Sequence, residues 1–350
     1  MIAIGVDGGR EHGLADRYPA SNCTDGRDRS QLPHPRPACA GNLGTAAARA
    51  LTVVTWTLIL QSIGFGLVTA AIISIGAMGF TLQFGVTNIL NISYGNILTV
   101  GAFAALIAQR DHLGLVLTVV AAPLAGALVT FLLARIVFGL FARRHASSFD
   151  LIMVTLASSL IIQYSIDAAA QGQEFAFTFP AGRTLHVGPF IFTTLSLALM
   201  GTAVVLLALL MSMLHYTRMG KALRALSTDP QLARACGVPM RRILNLTWMV
   251  TGALAGLAGL VYVTNNLTVS ASGGLDFLVL VVAAALLGGA GSPMGAMIAS
   301  LVVGISTEVV AAIGGSYYSQ AAGLGILAIV LIARPSSRTW GGAQRDEVTV

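Results

Sequence analysis

The chain has 350 residues, 55% of them hydrophobic and only 10% charged, with a formal net charge of +6. Soluble domains carry about 25% charged residues, so a water-soluble globular fold is excluded and the composition is that of a multi-span helical membrane protein. Three cysteines, Cys23, Cys39 and Cys236, form no CxxC pair and no even framework, which argues against a disulfide core and against a metal site.

Residues 1–49 are rich in Gly, Pro, Arg and Asp and have no apolar period, so they read as a disordered tail ahead of the membrane region. Asp7, Glu11, Asp16, Asp25 and Asp28 nearly balance its arginines, and no nucleic-acid partner is expected. The membrane region is expected over residues 50–335, with a short cytoplasmic tail at 336–350. Leu51 to Ala108 is too long for one span. Three passes are predicted, divided near Gly64–Gly66 or Ser74–Gly76 and again at Asn88–Asn96. Further spans are predicted over Leu115–Phe141, Leu151–Ile166, Ile191–Leu214, Ile243–Val263, Asp276–Leu287, Ala296–Ile313 and Ala321–Ile332. Arg135, Arg143, Arg144 and the C-terminal arginines fall on one side, which the positive-inside rule makes cytoplasmic. Ten passes with both termini cytoplasmic satisfy this pattern, and eight do so if two short segments only re-enter.

One polar segment interrupts the apolar sequence at length, residues 215–242. It carries Arg218, Lys221, Arg224, Arg234, Arg241 and Arg242 against one acid, Asp229. Asp229 is placed as a helix N-cap, Pro230 at the first helical position, Gly237 just past the end and Pro239 as a stop, predicting a short helix over Gln231–Cys236. Such a helix is either a docking element or a well-terminated connector.

Asn88, Asn91, Ser93, Tyr94 and Asn96 put polar side chains amid apolar sequence. They read as a broken helix lining a solute path, as an ordinary turn at the membrane interface, or as groups bonded to neighbouring helices. Gly252 and Gly256, with Gly288, Gly289, Gly291 and Gly295, have the spacing of close helix packing. Glu308 lies inside one apolar run and Asp276 begins another, with no basic residue inside a span to pair with either. No GxxxxGK[ST], HExxH or CxxC motif occurs, so neither ATP hydrolysis nor another enzymatic site is expected here, and no cofactor is implied.

From about Ile63 to Gly341 the chain resembles the permease subunits of branched-chain amino acid ABC importers. NISYGNILTVGAF from Asn91, TRMGKALRALSTDPQLARACGV from Thr217, LLGGAGSPMGAMIASLVVG from Leu286 and ARPSSRTWG from Ala333 follow the family's motifs in order. The resemblance implies an all-α integral membrane protein, a polytopic bundle of about 8–10 transmembrane helices with the ABC importer permease fold, in a bacterial inner membrane. It implies that residues 215–242 dock on a cytoplasmic ABC ATPase subunit, with Arg218, Gly220, Lys221, Arg224, Asp229, Ala233 and Gly237 matching the docking motif. A second related permease and a periplasmic or lipid-anchored solute-binding protein are the other implied partners. Tyr94 and Asn96 depart from the family's usual His and acid, which bears on the solute. The competing class is an ion-coupled transporter or channel using Glu308 or Asp276; a membrane scaffold without transport is the third.

Overall fold

The computed structural model describes residues 40–112, 114–138, 148–177, 183–187, 190–289, 291–315 and 317–333. Side chains are described from residue 59 onward within the first helix. Of the expected tail 1–49, residues 1–39 lie outside the described residues, as do Arg143, Arg144 and residues 336–350; residues 40–49, which the same expectation covered, fall within the first helix.

The chain runs α1 (Ala40–Thr87), α2 (Tyr94–Arg110), α3 (Gly114–Leu132, continued as a π turn over Leu133–Phe138), α4 (Ser148–Ala170), then β1 (Phe175–Ala176), β2 (Thr184–Val187) and β3 (Phe190–Thr193). It continues as α5 (Thr194–Tyr216), α6 (Arg218–Thr228), α7 (Pro230–Ala235), α8 (Met240–Asn266), β4 (Thr268–Val269), α9 (Gly273–Gly288), α10 (Pro293–Gly314) and α11 (Tyr317–Ala333). Among the described residues, six segments are long and apolar enough to cross a membrane: Ile59–Thr87 of α1, Val116–Ile136, Phe149–Ala170, α5, α8 and α10. Shorter apolar helices accompany them.

Leu51 to Ala108 forms two helices, not three. Gly66 and Gly76 do not break α1. They are contact points, where an added Cβ would meet the Ile305 backbone and the Val281 side chain respectively. A glycine inside a helix costs about 1 kcal/mol relative to Ala, and close helix approach offsets that cost. The predicted start of the next long span at Ile191 is also corrected. Residues 190–193 form a strand paired with β2, and α5 starts at Thr194 because the Thr193 hydroxyl accepts the Ser196 N–H at 3.1 Å.

The centre of the bundle is α1 and α8. In their most apolar windows 72% and 67% of residues are buried, against 22% for α3 and 17% for α4. The exposed residues of those outer helices include Val116, Leu124, Leu128, Ile161 and Tyr164, as a lipid-facing surface requires. Small residues bring α8 against its neighbours. An added Cβ at Gly252 would meet Gly126 and Thr130 of α3, at Gly256 the Ala122 carbonyl of α3, and at Gly259 the Leu98 carbonyl of α2.

Two ends of the bundle can be told apart. At one, Phe65 and Thr69 of α1 lie with Asn265, Glu308 and Gln320. There β1 pairs with β4, joining the loop after α4 to the loop after α8. At the other, Leu82 and Val86 of α1 lie with Leu214, Arg224 and Gly291. Helix α1 therefore runs from the first end to the second.

Candidate functional site

The second end carries the polar segment, and it folds as two helices where the sequence suggested one. Thr217 caps α6, its hydroxyl accepting the Gly220 N–H at 3.1 Å. Gly220, Leu223 and Leu226 are buried and recur at helical spacing, while Arg218, Lys221 and Arg224 stay exposed. That spacing is present in the sequence, interleaved with the charged residues. An added Cβ at Gly220 would collide with the Leu214 backbone, so the tight turn between α5 and α6 requires a glycine there.

Asp229 then caps α7. Its carboxylate accepts from the Gln231 and Leu232 N–H groups at 2.9 and 3.0 Å. Gly237 has φ +80°, and the N–H groups of Gly237 and Val238 donate to Arg234 and Ala233 at 3.0 and 3.1 Å. This is the Schellman termination, which a left-handed glycine makes cheap. The short helix is thus fixed at both ends by its own residues. Ala233 faces inward at 4% exposure, and Leu232 points outward at 62%. A concavity of about 480 Å³ between α6 and α7 is bordered by Lys221, Arg224, Leu232 and the free, exposed thiol of Cys236.

The segment Asn88–Ser93 is the second polar feature. Asn88 has φ +51°, and the chain turns back alongside α1, so that α2 begins where the Tyr94 hydroxyl donates to the Gly76 carbonyl at 3.0 Å. Non-helical backbone at this depth needs partners inside the protein. Helix α4 supplies them. Thr155 Oγ1 accepts the Ile92 N–H at 3.4 Å and donates toward the Leu90 and Ile152 carbonyls at 3.3 and 2.8 Å. Asn96 Nδ2 donates to the Ser159 carbonyl and hydroxyl at 2.5 and 2.7 Å. Asn91 Oδ1 accepts from Ser93 N and Oγ at 3.1 and 2.6 Å. Asn91, Ser93, Tyr94 and Asn96 are all at most 1% exposed, and Asn88 alone is open. Thr155 and Ser159, four apart on α4, belong to this cluster. The polar run Thr155–Ser159 within an apolar span was the sequence signal for them.

The first end holds two acids that sequence reading kept apart. Asp276 of α9 and Glu308 of α10 line one cavity of about 230 Å³ with Thr69, Asn265, Asn266 and Gln320, and none of its lining residues is basic. Glu308 accepts the Thr69 hydroxyl at 2.7 Å.

The glycines fall into two groups. Gly252 and Gly256 make the α8–α3 contact, and Gly288 and Gly295 face each other across the α9–α10 connection. Gly289 and Gly291 have φ +100° and +89° and shape that connection itself. Among the described residues no group of three or more His, Cys, Asp or Glu is placed to hold a metal.

A family profile described as the permease component of branched-chain amino acid transport systems matches residues 62–334. The probable branched-chain amino acid transport permease protein LivH of Methanocaldococcus jannaschii is 30% identical over 266 residues, 72% of this chain and 79% of the relative. The high-affinity branched-chain amino acid transport system permease protein BraD of Pseudomonas aeruginosa is 25% identical over 79% of this chain and 94% of its own length. A nucleoside ABC transporter permease protein, NupC of Lactococcus lactis, is 27% identical over 65% of this chain and 74% of its own.

Proposed function

This chain belongs to the permease family of branched-chain amino acid transport systems and is a multi-pass permease subunit of an ABC importer, and from that premise we propose how its parts divide the work. The solute is a branched-chain or related amino acid, as the names of the two branched-chain amino acid permeases above suggest. Helix α7 docks on a separate cytoplasmic ATPase subunit. The observation that carries this is a six-residue helix terminated at both ends, with Leu232 projecting beside arginines. A helix this short is marginal alone, and its two caps hold it ready for a partner's cleft. Hydrolysis belongs to that partner, and this chain catalyses no reaction.

The Arg224 end is cytoplasmic under the positive-inside rule. The Ile59 end of α1 then faces outward, because α1 runs between the two ends. This departs from the expectation that both termini lie inside, and it follows from two passes, rather than three, ahead of Arg110. The outer cavity around Asn265 and Glu308 faces the side from which a solute-binding protein delivers. A second permease completes the path, since one α7 engages one ATPase. Asn91, Ser93, Tyr94 and Asn96 act as a brace between α1, α2 and α4 rather than as a path lining, because a side chain buried within its own subunit touches no solute. Residues 1–45 are dispensable for uptake.

The test is a pull-down of the tagged chain from native membranes with its partners identified by mass spectrometry. An ATPase and a second permease are the expected companions. An intact, folded chain that brings neither, together with uptake that survives ATPase loss and disappears in Glu308→Gln, would establish the ion-coupled class instead.

A further inference from the structure

Between the start of the docking segment and the membrane core lies a further cavity, of about 290 Å³, bordered by α1, α5, α6 and the N-terminus of α10. Its buried wall includes Thr81, which is 1% exposed and whose hydroxyl has no hydrogen-bond partner. Helical threonines ordinarily return the hydroxyl to a carbonyl one turn back. Thr87, Thr247 and Thr264 in this chain do so, at 2.8, 2.8 and 2.7 Å. A buried hydroxyl left unpaired carries a desolvation penalty, and a ligand in the cavity removes it.

The rest of the lining gives the sign of that ligand. Arg224 and His215 stand exposed at the cavity, with the hydroxyl-bearing Ser227 and Ser292. The N-terminus of α10, a 22-residue helix, opens onto it; Pro293 has no N–H and the Ser292 hydroxyl takes the Gly295 N–H at 3.3 Å, so the Met294 N–H and the helix dipole are what favour negative charge there. No acidic residue lines the cavity, so an ammonium group finds no counter-charge. Leu82, Leu214 and Leu223 supply an apolar wall.

We propose that this cavity binds an anion with an apolar body, a carboxylate or phosphate head held by Arg224, the α10 N-terminus and Thr81, with its hydrocarbon against the leucines. Two sources share this chemistry. One is an anionic phospholipid; the other is a soluble aliphatic carboxylate lacking the amino group, such as a branched 2-oxo acid. Either ligand bridges α6, which leads directly into α7, to α1 at the bundle centre. Occupancy therefore stiffens the mounting of the docking helix, a level of control separate from the docking itself.

The test uses full-length protein, delipidated in detergent. Binding and thermal unfolding are followed with 4-methyl-2-oxopentanoate, with a short-chain phosphatidylglycerol, and with phosphatidylcholine and leucine as uncharged-head and zwitterion controls. At least one anion is expected to bind and raise Tm while both controls do not. Arg224→Gln and Thr81→Val each weaken that binding by roughly tenfold, the scale of a charged hydrogen bond. Lys221→Gln, on the same helix but outside the cavity lining, leaves it unchanged. Binding of the oxo acid assigns the soluble source, and binding of phosphatidylglycerol alone assigns the lipid. Without ligand, Thr81→Val is at least as stable as the native chain, since the unpaired hydroxyl is gone. No anion binding, or equal binding by all variants, overturns the proposal; a lower unliganded Tm for Thr81→Val alone overturns the role of Thr81.

Discussion

Helices α6 and α7 and the buried segment Asn88–Asn96 are both polar interruptions of an apolar chain, and they use polarity oppositely. At α7 the polar groups are local: Asp229 caps its own helix and Gly237 ends it, leaving Leu232 and the arginines for a partner. In Asn88–Asn96 polar groups are spent inside the protein: Ile92 N–H and Asn96 Nδ2 reach Thr155 and Ser159 of α4, 63 residues away, while Tyr94 turns to Gly76 of α1 and Asn91 to Ser93. In both stretches polarity accompanies a place where backbone leaves the helix. Whether it faces a partner or the protein's own interior is decided by what packs there.

The largest effect that would sharpen this contrast is at Leu232. Its replacement by Asp puts a charge at the centre of the proposed contact, where docking anchors carry about 2 kcal/mol or more, so ATPase retention should fall roughly thirtyfold while folding and membrane insertion are unchanged. Quantitative co-purification reads this. Retention at the native level would break the comparison at its first term.

Gly237→Val comes next. A β-branched residue in the left-handed region costs about 1–2 kcal/mol, which unwinds the end of α7, and uptake per ATP hydrolysed should drop several-fold in reconstituted vesicles. A variant that couples normally would mean that the termination of α7 does not matter to docking.

Asn96→Leu tests the other side. Losing two hydrogen bonds to Ser159 should destabilise the bundle by about 1–3 kcal/mol, read as a lower Tm, with the solute preference of the surviving uptake intact. A changed preference with unchanged Tm would return Asn96 to the solute path. Smallest is Asp229→Ala, which removes an exposed cap worth about 1 kcal/mol and should cut coupling less than Gly237→Val does.

The sequence was most legible where structure is local. The cap at Asp229, the left-handed turn at Gly237 and the close packing of Gly252 and Gly256 could all be read from neighbours in the chain. It was least legible where the partner is distant. Gly66 and Gly76 look like breaks until Ile305 and Val281 are seen against them. Asp276 and Glu308 share a cavity that spacing alone does not reveal, and Asn96 finds its partner, Ser159, on α4. Helix α6 is the exception: its amphipathic period of Gly220, Leu223 and Leu226 is local, but it is interleaved with Arg218, Lys221 and Arg224, whose charge masks it.

The most direct measurement uses the exposed thiol of Cys236 at the end of α7. With Cys23 and Cys39 changed to Ser, a short thiol-reactive cross-linker is applied in native membranes, and the adduct is identified by mass spectrometry with and without nucleotide. The account predicts a cross-link from Cys236 to an ATP-binding subunit, with a yield that changes when nucleotide is added. Efficient labelling of Cys236 with no ATPase adduct, in membranes where the importer is active, would contradict it.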